Sequence, residues 1–67
     1  MKRDYSELRK RIRGTYNILG DFAADLGITA GTLSYKLSGK SEWSRAEIAK
    51  VAELLDLTPE ETLRYFF

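Results

Sequence analysis

The sequence predicts an all-α fold, a compact domain of five short helices. Three observations carry this. No segment alternates apolar and polar residues over the length of a strand. Apolar residues recur instead at spacings of three and four residues. Several helix starts are also spelled out by capping residues: Thr29 before Ala30, Ser44 with Glu47, and Thr58 with Pro59 and Glu61. The 67 residues form a single domain, 1–67, with no internal repeat, linker or low-complexity stretch. A chain of this size buries only about 60% of its unfolded surface, so helix packing and caps must hold it. With no cysteine and no histidine, neither disulfides nor the usual zinc sites can supplement that core.

The first helix is expected to start near Asp4, where Asp4 and Glu7 have capping-box spacing. Tyr5, Leu8, Ile12 and Tyr16 form its apolar stripe, and Asn17 marks its end. Gly14 weakens its interior by up to about 1 kcal/mol relative to alanine. The second helix runs roughly from Ile18 to Leu26, with Phe22, Ala23 and Leu26 on one side. Gly27 stands where a left-handed C-terminal residue belongs, Ile28 plugs the turn, and Thr29 caps a third helix from Ala30 to Ser38. Leu33 and Leu37 face inward there, with Ala30 partly beside them, and Gly39 ends the helix. After a loop to Trp43, Ser44 and Glu47 open a fourth helix carrying Ile48, Val51, Ala52 and Leu55 on one face. Thr58-Pro59-Glu60-Glu61 is the clearest helix start in the chain, and the last helix ends in Leu63, Tyr65, Phe66 and Phe67.

Composition excludes several function classes. No apolar run approaches the roughly 18 residues of a membrane span. The charged N-terminus has no signal-peptide core. No helix joins a strongly basic face to a broad apolar one, so a membrane-surface role is not expected. An enzyme is not expected either. The nearest carboxylate pairs are Asp21/Asp25 and Glu60/Glu61; the second has a structural role in its helix start, and no pocket-forming length surrounds either. No cofactor or metal is called for. The net charge of +1 hides an asymmetry: residues 1–45 carry +4 and residues 46–67 carry −3. This suggests a basic face that meets nucleic acid and an acidic back, the plain alternative being scattered surface charge.

Residues 18–38 have the layout helix, tight glycine turn, helix, with a small alanine at the crossing point. That is the helix-turn-helix arrangement, whose second helix enters the DNA major groove. Phe22-Ala23, Gly27-Ile28-Thr29, Thr32-Leu33-Ser34, Leu37-Ser38-Gly39-Lys40, Ile48-Ala49 and Leu54-Leu55, taken in order, resemble the lambda-repressor/Cro-like (XRE-class) helix-turn-helix family, and among it the small phage Cro-type repressors. The likeness covers roughly residues 5 to 66. It implies a lambda-repressor-like DNA-binding domain and a sequence-specific transcriptional regulator. Such a protein would occupy double-stranded operator DNA in a bacterial cytoplasm, at the nucleoid, and block polymerase or a competing repressor.

On that resemblance the base-reading residues are Ala30, Gly31, Thr32, Ser34 and Tyr35. Hydroxyls can donate to or accept from base edges, and a threonine methyl can meet a thymine methyl. Gly31 is costly inside a helix unless something must approach closely, and a groove would supply that need. The alternative is a solvated helix face. One departure stands out: the third helix shows no outward Gln, Asn or Arg for bidentate base contacts. Phosphate contacts are expected from Asn17, Thr29, Lys36, Ser38, Lys40, Ser41 and Arg45. The run Arg9-Lys10-Arg11 with Arg13 reads more plainly as a solvated face, with Arg11 paired to Glu7. Asp21 and Asp25 would repel phosphate and are expected to face solvent. Trp43 is expected in the core, with an edge of the DNA face as the alternative.

Three terminal aromatics cannot all point inward from one short helix. Leu54, Tyr65, Phe66 and Phe67 are therefore the expected dimer or partner surface, against a reading in which they only close the core. The resemblance implies a homodimer, formed in solution or on DNA, that sets two reading helices one DNA turn apart. The thin reading face and modest charge keep a second function open, a repressor-modulating or antirepressor protein that binds another helix-turn-helix protein, such as a cognate repressor.

Overall fold

A computed structural model describes residues 5–67. Five helices follow one another: α1 Ser6–Thr15, α2 Leu19–Leu26, α3 Ala30–Leu37, α4 Arg45–Leu55 and α5 Pro59–Phe66, with no strand among the described residues. The Cα radius of gyration, 10.8 Å, is close to the roughly 11 Å expected of a folded chain this long. None of these helices is long and apolar enough to cross a membrane.

The core draws on every helix. Leu8 and Ile12 of α1, Phe22 and Ala23 of α2, Leu33 and Leu37 of α3, Val51 and Leu55 of α4 and Phe66 of α5 form one buried cluster. Tyr5, Tyr16, Leu19, Leu26, Ile28, Trp43, Ile48, Leu54, Leu57 and Tyr65 pack around it. α2 and α4 are the two central helices: they pack against each other and both against α1, while α2 also holds α3 and α4 also holds α5. With nothing but van der Waals packing in the cluster, loss of a single large side chain is felt across the domain.

Helix starts and stops account for most of the boundaries. Thr29 Oγ1 accepts the Thr32 N–H at 3.1 Å. Ser44 and Glu47 exchange bonds of 2.8 and 3.1 Å, and Thr58 and Glu61 bonds of 2.9 and 3.1 Å, so both later capping boxes are closed. α1 differs. Its N-cap is Tyr5, whose side chain makes no cap bond, and Asp4 of the expected box lies outside the described residues. α2 begins one residue later than Ile18, which is its extended N-cap.

Three helices end alike. After α2, Gly27 at φ +87° donates to the Ala24 carbonyl and Ile28 to that of Ala23, at 3.1 and 3.0 Å. After α3, Gly39 at φ +83° donates to Lys36 and Lys40 to Tyr35. After α4, Asp56 and Leu57 do the same to Glu53 and Ala52. Each is a Schellman motif, which satisfies two orphan carbonyls by placing one residue in the left-handed region. Asp56 is the non-glycine among them, at φ +53°. The sequence alone does not reveal that motif, because an aspartate stands where glycine usually signals it.

Candidate nucleic-acid interface

α3 is fastened on one side and open on the other. Leu33, Lys36 and Leu37, at i, i+3 and i+4, are buried. Ala30, Gly31, Thr32, Ser34 and Tyr35 are all exposed. Tyr35 is 59% exposed, and the Lys40 amine lies 5.3 Å from its ring centroid, within cation–π range. Gly31, Thr32 and Tyr35 line a shallow depression of about 240 Å³. Thr29 Oγ1 also donates to Thr32 Oγ1 at 2.9 Å, which holds the Thr32 side chain against the cap. The five expected base readers thus stand together on one solvent-facing surface.

Gly31 has no packing role inside the chain. A Cβ there would meet only Thr29 Oγ1, at 3.9 Å, an ordinary contact. Its backbone φ is not in the left-handed region either. The glycine therefore leaves room on the outward face, and nothing within the domain uses that room.

The flanking residues divide. Asn17, Thr29, Ser38, Lys40 and Arg45 are exposed and Ser41 is half-buried. The Ser38 hydroxyl donates to the Tyr35 carbonyl at 2.9 Å, and Thr29 is occupied as a cap. Lys36 corrects the sequence reading. It is 6% exposed, its amine donates to the Glu42 carbonyl at 2.8 Å, pairs with Glu47 Oε1 at 3.0 Å and lies 5.7 Å from the Trp43 ring centroid. A cation so enclosed is not a phosphate contact; it ties α3 to the start of α4. The signal was present in the spacing, because Lys36 sits three residues after Leu33 and shares its face.

Glu47 is held below the usual carboxylate value, first by the Ser44 backbone N–H and then by Lys36. Glu61 is held down in the same way by the Thr58 N–H and by Arg11. The Arg11 guanidinium donates to Glu61 Oε2 at 2.7 Å and to the Leu55 carbonyl at 3.2 Å, a clamp from α1 to α5 in place of the expected pair with Glu7. No i, i+4 rule reaches across 50 residues. Arg11 is thereby withdrawn from the basic run, which leaves Lys10 and Arg13 exposed and Arg9 half-buried. Asp21 and Asp25 are exposed as expected, and Asp25 accepts from the Tyr16 hydroxyl at 2.8 Å, which raises the Tyr16 phenol.

Trp43 is half-buried, packed edge-on against Phe66 with centroids 5.2 Å apart and against Tyr5 at 6.3 Å. It packs on the margin of the core rather than inside it. The terminal surface is redrawn. Phe66 is buried in the core, and Leu54 and Tyr65 are half-buried against it, so these three do not offer a free face. The exposed apolar pair on α5 is Leu63 and Phe67, at 58% and 71% exposure, with Glu60 and Arg64 beside them on the same helical face. Ile18, 63% exposed before α2, is a further exposed apolar side chain that the sequence reading did not single out.

The match to known families is complete in length. Residues 1–67 match the family described as "Protein of unknown function (DUF739)", and the chain belongs to that family. No curated protein matches the chain.

Proposed function

We propose that this member of the DUF739 family is a sequence-specific, double-stranded DNA-binding transcriptional regulator, a phage or prophage repressor of the Cro type. In this reading α2, the Gly27 turn and α3 are a helix-turn-helix of the lambda-repressor kind, and α3 enters the major groove. The protein acts in the bacterial cytoplasm by occupying an operator. The observation that carries the reading is the two-sidedness of α3. Its inward side is locked by Leu33, Lys36 and Leu37, while its outward side presents four small or hydroxyl-bearing residues and one tyrosine, with no intramolecular task for Gly31.

Electrostatics support the same assignment. α3 alone among the five helices has no acidic residue in its first turn, so its positive end is left open to phosphate. Lys40, beside the Tyr35 ring, and Arg45 are exposed cations to flank the groove, with Asn17 and Ser41 as small donors. The test is titration of labelled duplexes, the promoter region adjoining the gene against random sequence, at two salt concentrations. The reading expects tighter binding to the promoter duplex and a log–log salt slope of about one per phosphate-paired cation. Equal affinity for both duplexes, with no salt dependence, would reject it.

A second reading is favoured by α5. Leu63 and Phe67 form an exposed apolar face that suits a protein partner, either a second copy of the chain or a cognate repressor. In the repressor reading this face pairs two copies across a two-fold axis. In the antirepressor reading it binds another helix-turn-helix protein, and co-elution of the two proteins in the absence of DNA separates the cases.

A further inference from the structure

The outward face of α3 lacks the groups that tell bases apart by hydrogen bonding. Ser34 and Thr32 offer hydroxyls, which donate and accept alike. A hydroxyl therefore meets the thymine O4 acceptor and the cytosine N4 donor equally well. Gly31 and Ala30 bring no polar side chain at all. What the face does possess is shape, a depression of about 240 Å³ between Gly31, Thr32 and Tyr35. That is several times the roughly 30 Å³ share of one water, so it has room for a pyrimidine C5 substituent and the ring edge that carries it. Thr32 is held in place by Thr29 at 2.9 Å, and Lys40 lies against the Tyr35 ring, so two of the three walls are supported. The third wall is the missing Cβ of Gly31, which the fold itself does not require.

From this we infer that the depression beside Gly31 reads the C5-methyl group of a pyrimidine in the major groove, so that 5-methylcytosine is recognised there as thymine is, and unmethylated cytosine and uracil are not. The inference rests on the DNA-binding reading and specifies what that face recognises. In the major groove the C5 substituents of thymine and 5-methylcytosine occupy the same place on the ring. A face that senses that substituent and is indifferent to the neighbouring donor or acceptor groups the two together.

The experiment begins with selection of a tight-binding duplex from a random double-stranded library with the full chain. Each thymine position of the selected duplex is then made in four forms: T·A, U·A, 5-methylcytosine·G and C·G. At one position or more per bound protein, the methyl should tighten binding about fourfold, the worth of one buried methyl, and by the same factor in both base-pair contexts. Gly31→Ala puts a methyl group into the floor of the depression, where the pyrimidine methyl would sit, and should bring both ratios to about one, while circular dichroism shows an intact helical fold. Ratios of one at every position in the wild-type chain would overturn the inference and leave DNA binding standing. A methyl effect confined to the T·A context, or one untouched by Gly31→Ala, would overturn it as well. Failure to select any preferred duplex would reject the DNA-binding reading, and this inference with it.

Discussion

α3 and α5 are built to the same length, eight residues each, and both start on a threonine cap. There the likeness stops. At α5 the cap is closed by Glu61, Pro59 occupies the first helical position, and Glu60 and Glu61 satisfy the positive helix end. At α3 the residue three after the cap is Thr32, a glycine follows the first helical position, and no acid is present. α5 is furnished for stability in its own sequence. α3 gives up those local gains and is held from the other side, by Leu33 and Leu37 in the core and by the Lys36 tie to Glu47. Where a helix omits cheap local stabilisation and is braced from behind, its free side is the place to look for function.

The largest effects lie where each helix is anchored. Phe66→Ala should cost about 3–5 kcal/mol and Leu33→Ala about 2–5 kcal/mol, read from urea denaturation, because both leave cavities in one shared cluster. Next comes the brace behind α3. Lys36→Ala should cost about 1.5–3 kcal/mol, since it removes a charge-assisted bond from an enclosed site and leaves Glu47 without its cation. Arg11→Ala, which breaks the more exposed clamp on Glu61, should cost less than Lys36→Ala in the same urea series.

Backbone changes should act in the opposite direction. Gly31→Ala and Gly14→Ala should each stabilise by up to about 1 kcal/mol, because neither new Cβ meets a close neighbour. That is a rise of about 4–8 °C in melting temperature for a domain this small. The two are expected to part on DNA, where Gly31→Ala weakens specific binding and Gly14→Ala does not. Asp56→Gly should also raise stability by about 1 kcal/mol, by relieving the left-handed aspartate after α4.

The smallest effect is acid sensitivity. Glu47 and Glu61 both titrate below the usual 4.5 in the folded chain. Their contribution is complete above that value and is lost as pH falls through the lowered folded values. Melting temperature should therefore decline below about pH 4.5, and Glu47→Gln with Glu61→Gln should flatten that decline. An unchanged acid limb in the double variant would mean that other carboxylates set it.

Much of the fold could be read in advance because its punctuation is local. Thr29, Ser44, Thr58, Gly27 and Gly39 each act within a few residues, and the helices begin or end beside them. Asp56 escaped because its left-handed turn is imposed by Ala52 and Glu53 rather than by its own side chain. The outward residues of α3 were legible as a set from the helical period. The pairings of Lys36 and Arg11 were not, since Glu47 and Glu61 reach them only once the helices have packed. The α5 surface went wrong for a related reason. Glu61, Thr62, Tyr65 and Phe66 form the inward side and Glu60, Leu63, Arg64 and Phe67 the outward one, but which side docks depends on α4, not on hydrophobicity alone.

Whether the outward side of α3 is the recognition surface can be read from amide chemical-shift mapping as a selected DNA duplex is titrated into the isotopically labelled chain. Shifts should concentrate from Thr29 to Tyr35 and at Lys40, with little change along the exposed side of α5 beyond what pairing of two copies produces. Shifts confined to Leu63 and Phe67, with α3 silent, would rule out α3 as the DNA-reading surface.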